Sequence, residues 1–153
     1  MCGTDETSTA TSQGCSTLGV HVSAGSQEIT TLGISELSDP RGVQAEADPQ
    51  HFIIGFGRID DGDCTLFPST FWLYSNGEAA FQGYVATDDS GDVWLVRGMA
   101  LLDRNGVELY RIPQFNGPQM DMPDHNYAFN AYPLYYPAYL YPYVTNARMY
   151  HHC

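Results

Sequence analysis

Arg97 is the residue whose surroundings most invite chemistry. It stands in the middle of Val93-Trp94-Leu95-Val96-Arg97-Gly98-Met99-Ala100-Leu101-Leu102, the most apolar run of the chain. A guanidinium buried there needs a carboxylate or several carbonyls around it. Two readings follow. In the structural one, Arg97 forms a buried ion pair or carries its head to the edge of the fold. In the functional one, it anchors an anionic or carbonyl oxygen inside a cavity lined by Trp72, Tyr74, Tyr84 and Trp94, whose N–H and O–H donors beside apolar walls suit a small organic ligand.

The acidic residues collect in turns. In a meander the first and third turns share one end of the sheet, which gathers Asp60, Asp61 and Asp63 near Asp88, Asp89 and Asp92. Such a rim would suit calcium, which takes roughly six to eight oxygens. Asp and Gly also build hairpin turns, and no EF-hand-type loop is present, so the plain turn reading is the stronger. Glu78 and Glu108 open two runs with one strand between them, about 9–10 Å apart along the sheet, a spacing that overlaps that of an inverting glycosidase. Side-chain parity turns both outward, the ordinary outcome for a wet face. Asp124-His125 is a lone acid–base pair in a proline-rich stretch. His151-His152-Cys153 brings zinc-type ligands together without a spaced second pair, and no resident metal or cofactor is called for.

The elements that must position these groups are strands. Residues 51–59, 65–74, 78–87, 93–102 and 107–112 are rich in aromatic and β-branched residues, and each gap between them carries Gly with Asp or Asn. Asn76-Gly77 and Asn105-Gly106 are the strongest signals, since a type I′ hairpin loop needs positive φ at both central residues. Five runs and four tight turns predict an all-β antiparallel meander. The run around Arg97 is apolar at both parities, so it should be covered on both faces. Eight of the eleven tyrosines lie between residues 127 and 150, spaced by Pro133, Pro137 and Pro142. Those prolines forbid a long helix or a central strand. The segment is therefore expected to wrap the meander as extended, edge-type pieces, closing a small barrel or sandwich with one or two short strands from residues 18–37. Residues 1–17, mostly Ser, Thr, Gly and acid, read as a flexible tail; residues 18–153 read as one β domain.

Gly62-Asp63-Cys64-Thr65, the stretch from Phe71-Trp72-Leu73-Tyr74 through Ser75-Asn76-Gly77-Glu78-Ala79-Ala80-Phe81, Asp92-Val93-Trp94-Leu95, and Leu102-Asp103-Arg104-Asn105-Gly106-Val107 resemble a family of small, functionally uncharacterised actinobacterial β-rich proteins. The resemblance covers about residues 52–110 and recurs at the final His-Cys; the Tyr/Pro tail is this chain's own. It brings no activity with it. Members of the family look secreted, whereas Met1-Cys2-Gly3-Thr4-Asp5-Glu6 shows no leader, so the compartment stays open. Cys2, Cys15, Cys64 and Cys153 allow three pairings, and four reduced thiols is the alternative. Spacing and the resemblance together favour Cys64 with Cys153, leaving Cys2 with Cys15. That bridge would close a loop of about 90 residues, worth roughly 4–5 kcal/mol in the chain-entropy model.

Charge sets the outer limits. Eighteen Asp and Glu stand against six basic residues, all of them Arg, for a formal charge of -12. The lack of lysine excludes Schiff-base chemistry and a P-loop. The negative field repels phosphate backbones and anionic lipid, so neither nucleic acid nor membrane is an expected partner. No nucleophile elbow or dinucleotide glycine signature is present. Three functions remain. The first is binding of an apolar or carbohydrate-like small molecule at the aromatic site of Arg97, Trp72, Tyr74, Tyr84 and Trp94. The second is a cofactor-independent cyclase or isomerase using the same pocket. The third is docking on a protein partner, or self-association, through the Tyr/Pro-rich tail.

Overall fold

The computed structural model describes residues 14–16, 19–23 and 49–153. In chain order these form strands β1 (Gly14–Ser16), β2 (Gly19–Ser23), β3 (His51–Phe56), β4 (Ile59–Asp61), β5 (Cys64–Leu66), β6 (Ser69–Tyr74), β7 (Glu78–Thr87), β8 (Asp92–Leu102), β9 (Glu108–Ile112), β10 (Phe115–Met120), β11 (Tyr127–Tyr135) and β12 (Asn146–His152). A short 3-10 segment, Ala138–Tyr143, separates the last two. The protein is all-β and antiparallel, with one sheet nearly closed like a barrel.

Several strands are halves of longer ones. One register runs through β3–β6 and β4–β5, from His51 opposite Tyr74 to Asp61 opposite Cys64. Residues 51–74 are thus one long hairpin, broken at Gly57-Arg58 and Phe67-Pro68 and closed by Gly62-Asp63. Gly62 has φ +60, the pattern of a two-residue II′ loop. β6 and β5 both pair with one edge of β7, with the register slipping by one residue where Pro68 cannot donate. In the second sheet β9 and β10 are likewise two halves of one strand along β8, broken at Pro113-Gln114.

The meander expected over all five runs stops at its third turn. β7 and β8 are consecutive in the chain but lie in different sheets, and residues 88–91 carry the chain from one to the other. The edge that each would have offered its neighbour is taken by the tail: β11 pairs with β7, and β12 pairs with β8. The tail is therefore edge-type only in part. Pro133 sits in β11 where the register with β7 shifts, and the Tyr132–Pro133 peptide is cis. Residues 146–152 contain no proline, and β12 lies inside its sheet between β1 and β8. β1 falls within the stretch expected as a flexible tail. The rest of residues 1–17, the expected strands beyond Ser23 and the pairing of Cys2 with Cys15 lie outside the described residues.

The two sheets share one core. Phe52, Ile54, Leu66, Phe71, Leu73, Phe81 and Val85 from the larger sheet meet Trp94, Val96, Met99, Leu101, Met120, Ala147 and Met149 from the smaller. β8 is buried on both faces toward its C-terminal end, where Ala100 and Leu102 form a second small cluster with Tyr150. Part of its double parity has another cause. Opposite β12, Gly98 pairs with Tyr150 and Val96 with His151, leaving Arg97 as the extra residue of a β-bulge. The bulge switches the inward set from even residues (Trp94, Val96) to odd ones (Met99, Leu101).

Both Asn-Gly turns form, though not as type I′ loops. Gly77 N–H donates to Tyr74 O and Gly106 N–H to Asp103 O, and only the glycines have positive φ (+94 and +81). Each is a three-residue loop ending in a left-handed glycine, so Asn76 and Asn105 keep ordinary backbone angles. Gly77 is also pressed against the tail, since a Cβ there would lie 2.9 Å from Tyr136 O. Gly77→Val should therefore cost about 2–4 kcal/mol in urea denaturation, and a loss below about 0.5 kcal/mol would contradict this turn geometry. Deleting residues 127–153 removes β11, β12 and Phe129, Tyr136, Ala147, Met149 and Tyr150 from burial. At about 1.5–3 kcal/mol for each large side chain, that rivals the stability of a whole domain. The truncated chain should show no cooperative thermal transition by circular dichroism.

Candidate functional site

Alternation along the strands separates the five residues proposed to line a single cavity. Trp94 faces the core, fully buried, with its indole stacked on His151 at 5.1 Å between ring centres. Trp72 and Tyr74 lie on the opposite face of the larger sheet in a cluster with Ile53 and Ala80, and His51 stacks on Trp72 at 5.3 Å. Tyr84 is exposed. Arg97 is exposed too, because the bulge swings it out of the apolar row. Trp72 and Tyr74 do come together, 6.3 Å apart; the cavity with Arg97 inside does not form. The arginine that packs on the apolar strand is Arg111 of β9. Its stem covers Gly98, where a Cβ would lie 2.8 Å from Arg111 Cδ. Its guanidinium sits 4.2 Å above the Tyr150 ring and pairs with Glu108.

The expected acidic rim exists, since Asp88 N–H donates to Asp63 O across the two turns. Its carboxylates are mostly occupied by turn and sheet chemistry. Asp60 accepts the Thr65 hydroxyl at 2.9 Å and Arg58 Nε at 3.2 Å, and the two together hold its carboxyl below the usual value. Asp61 accepts from His151 Nδ1 at 2.7 Å. Asp89 Oδ1 accepts Ser90 N–H, and Asp92 Oδ2 accepts the Thr87 hydroxyl at 2.6 Å. Asp63 and Asp88 line a hollow of about 260 Å³ together with Asp124, Thr65, Thr87 and Asn126. Glu78 and Glu108 belong to different sheets, so the glycosidase spacing loses its basis. Glu78 accepts from the Tyr132 hydroxyl at 2.9 Å, and His125 packs edge-on against Tyr127.

At this same end Cys64 and Cys153 form a disulfide, with Cα atoms 6.1 Å apart and a sequence separation of 89. Of His151-His152-Cys153, His151 is thus committed to Asp61 and Cys153 to the bridge. The His151–Asp61 pair joins β12 to β4 across the two sheets. Because a carboxylate only accepts, the proton of this hydrogen bond sits on Nδ1.

The opposite end carries a cleft that the sequence did not single out. Thr145 N–H donates to Leu102 O and Tyr136 N–H to Gly77 O, which seats the 3-10 segment between the two Asn-Gly turns. Asp103, Arg104, Asn105, Leu109, Pro142, Tyr143 and Thr145 enclose about 480 Å³ there. Asp103 Oδ1 accepts the N–H groups of Asn105 and Val107 at 2.8 and 2.9 Å, fixing one lip. The tyrosines flanking the cleft divide into two sorts. Tyr136 is buried and its hydroxyl donates to Tyr74 O, while Tyr139 and Tyr143 are 75% and 62% exposed. The available signals were a turn with polar residues at 103–105 and a Tyr-Pro-Tyr in the tail; nothing in the sequence said that they meet.

A family model described as a family of unknown function, DUF6294, matches residues 70–153, more than half of the chain and including the whole Tyr/Pro-rich tail. No curated protein and no solved structure matches the chain.

Burial raises the Tyr136 hydroxyl well above its ordinary value, with a smaller push from neighbouring Tyr141, which burial also raises. The neutral phenols therefore stabilise the fold fully below the unfolded value of about 10. This stability is lost as pH climbs through the raised folded values. Urea midpoints should fall steeply above about pH 10. Tyr136→Phe should lower stability by about 1 kcal/mol at neutral pH, through loss of the hydroxyl's hydrogen bond to the Tyr74 carbonyl, and flatten the alkaline fall. An unchanged alkaline slope in that variant would contradict the assignment.

Proposed function

The chain belongs to the DUF6294 family, and from that premise we propose that it is a binding protein holding a neutral, carbohydrate-like small molecule in the cleft between the 103–106 turn and the 3-10 segment. The observation that carries this reading is the make-up of the cleft wall. Tyr143, Pro142 and Leu109 supply apolar surface suited to the C–H face of a pyranose, and Asp103, Arg104, Asn105 and Thr145 supply polar groups for hydroxyls. The volume falls in the usual range for small-ligand sites. One lip is pre-organised by the Asp103 hydrogen bonds, which lowers the ordering cost of binding. The net charge of -12 disfavours anionic ligands.

The cyclase or isomerase alternative rested on Arg97 within an enclosed cavity, and its exposure on the β8 bulge withdraws that support. The interaction alternative keeps an observation of its own. Tyr132, Tyr135, Tyr139 and Tyr143 are all exposed on β11 and the segment after it, a surface open to a protein partner or a second copy of the chain.

Amide chemical-shift titration with neutral gluco-, manno- and chito-oligosaccharides separates the two. Binding should perturb residues 103–109 and 142–145, and Tyr143→Ala should weaken it about tenfold or more, a loss of ~1.4 kcal/mol, with the melting temperature nearly unchanged. If no sugar shifts these residues while dilution of the protein alone shifts residues 132–143, the interaction reading replaces this one.

A further inference from the structure

Asp92 presents a carboxylate to a disulfide. Its Oδ2 lies 3.7 Å from Cys64 Sγ, and the ligand-type atoms of Cys64, Asp92 and Cys153 all lie within 4.8 Å of one another. A disulfide is neutral and offers no hydrogen to donate, so it gives little return for a half-buried carboxylate at this position. Two thiolates and a carboxylate, by contrast, are a donor set that divalent zinc takes readily, the cation offsetting three negative charges. Tetrahedral zinc, with Zn–S near 2.3 Å and Zn–O near 2.0 Å, places neighbouring S and O ligands about 3.5 Å apart. Asp92 already stands at that distance from one sulfur. The Thr87 hydroxyl, donating to Asp92 Oδ2 at 2.6 Å, orients the carboxylate as outer-shell partners of metal ligands do. The three residues come from β5, the start of β8 and the end of the chain after β12, so both sheets hold the set in place.

We propose that reduction of Cys64–Cys153 turns this joint into a zinc-class metal site with Cys64, Cys153 and Asp92 as ligands and a water molecule as the fourth. The reductant is a dithiol. Its two S–H groups become a disulfide as the Cys64–Cys153 bond breaks, and each cysteine gains one of its protons. The divalent ion then displaces both protons to solvent and binds the two thiolates and the carboxylate. In the oxidised protein the chain is tied by the covalent bridge; in the reduced protein the metal ties the same three elements.

The test uses the full chain carrying Cys2→Ser and Cys15→Ser, so that only one pair of thiols is released. After reduction with a dithiol and its removal by gel filtration without oxygen, Co2+ serves as the probe. One equivalent should give a near-ultraviolet thiolate-to-cobalt band and visible bands of tetrahedral intensity, both erased by Zn2+ and both missing from the oxidised protein. Thr87→Val should weaken binding by about 10–100-fold, the usual loss for an outer-shell partner, and Asp92→Asn by at least as much. If Asp92→Asn does not fold, the near-isosteric Thr87→Val decides. Cobalt that stays octahedral in the reduced chain overturns the proposal. Equal affinity in Thr87→Val does so too, as does a reduced chain that loses its far-ultraviolet dichroism and does not regain it with metal.

Discussion

β7 and β8 follow one another in the chain yet never pair, because each gives the edge it would have shared to a strand from the last part of the sequence. β11 lies along β7 and β12 along β8. Every other feature depends on this insertion. It splits a would-be meander into two sheets, lets their apolar faces meet in one core, and makes the tail an internal part of the fold. Backbone pairing alone would not hold such an arrangement, since joining residues far apart in sequence costs loop entropy before any contact repays it. The Cys64–Cys153 bridge ties the end of β12 back to the first hairpin and offsets part of that cost.

The two ends of the molecule have different chemistry as a result. At the disulfide end, carboxylates meet hydroxyls, a histidine and sulfur, and nearly all of them are engaged by turns or by partners in the other sheet. At the far end the 3-10 segment crosses between two glycine-terminated turns and leaves a cleft. Two residues show how closely that end is fitted. Gly77 must be glycine both for its positive φ and for the Tyr136 carbonyl against it, and Tyr136 is buried with its hydroxyl on the Tyr74 carbonyl. Exposed tyrosines next to this buried one, such as Tyr139 and Tyr143, leave their rings in solvent. One composition thus supplies both the seal and the open surface.

Arg97 shows how a sound local argument fails. A charge in an apolar run must be buried and paired or turned outward, and the sequence cannot choose between them. A bulge chose, by adding one unpaired residue at Arg97 and switching the parity of β8 around it. The aromatic residues grouped with Arg97 failed for a related reason. Trp72 and Trp94 were joined through a meander in which all strands share two faces; once β8 moved to the second sheet, Trp94 turned into the core while Trp72 stayed on the outer face.

Local signals determined a good deal by themselves. Period-two apolar runs, Asn-Gly and Asp-Gly turns and proline spacing fix which residues are strands and where hairpins close, because those choices depend on φ, on backbone donors and on neighbours a few residues away. The all-β antiparallel class follows from the same facts, whereas the tail, expected over the face of β8, takes its edge instead. The pairing of Cys64 with Cys153 was favoured by spacing and family resemblance, and the fold brings the two together. Partner choice between distant strands was left to the tertiary structure. An edge of β7 is satisfied equally well by β8 or by β11, and only the packing of both sheets around one core decides between them. The cleft beside Tyr143 is a product of that decision, since its walls lie about forty residues apart in the chain and neither wall is a site without the other.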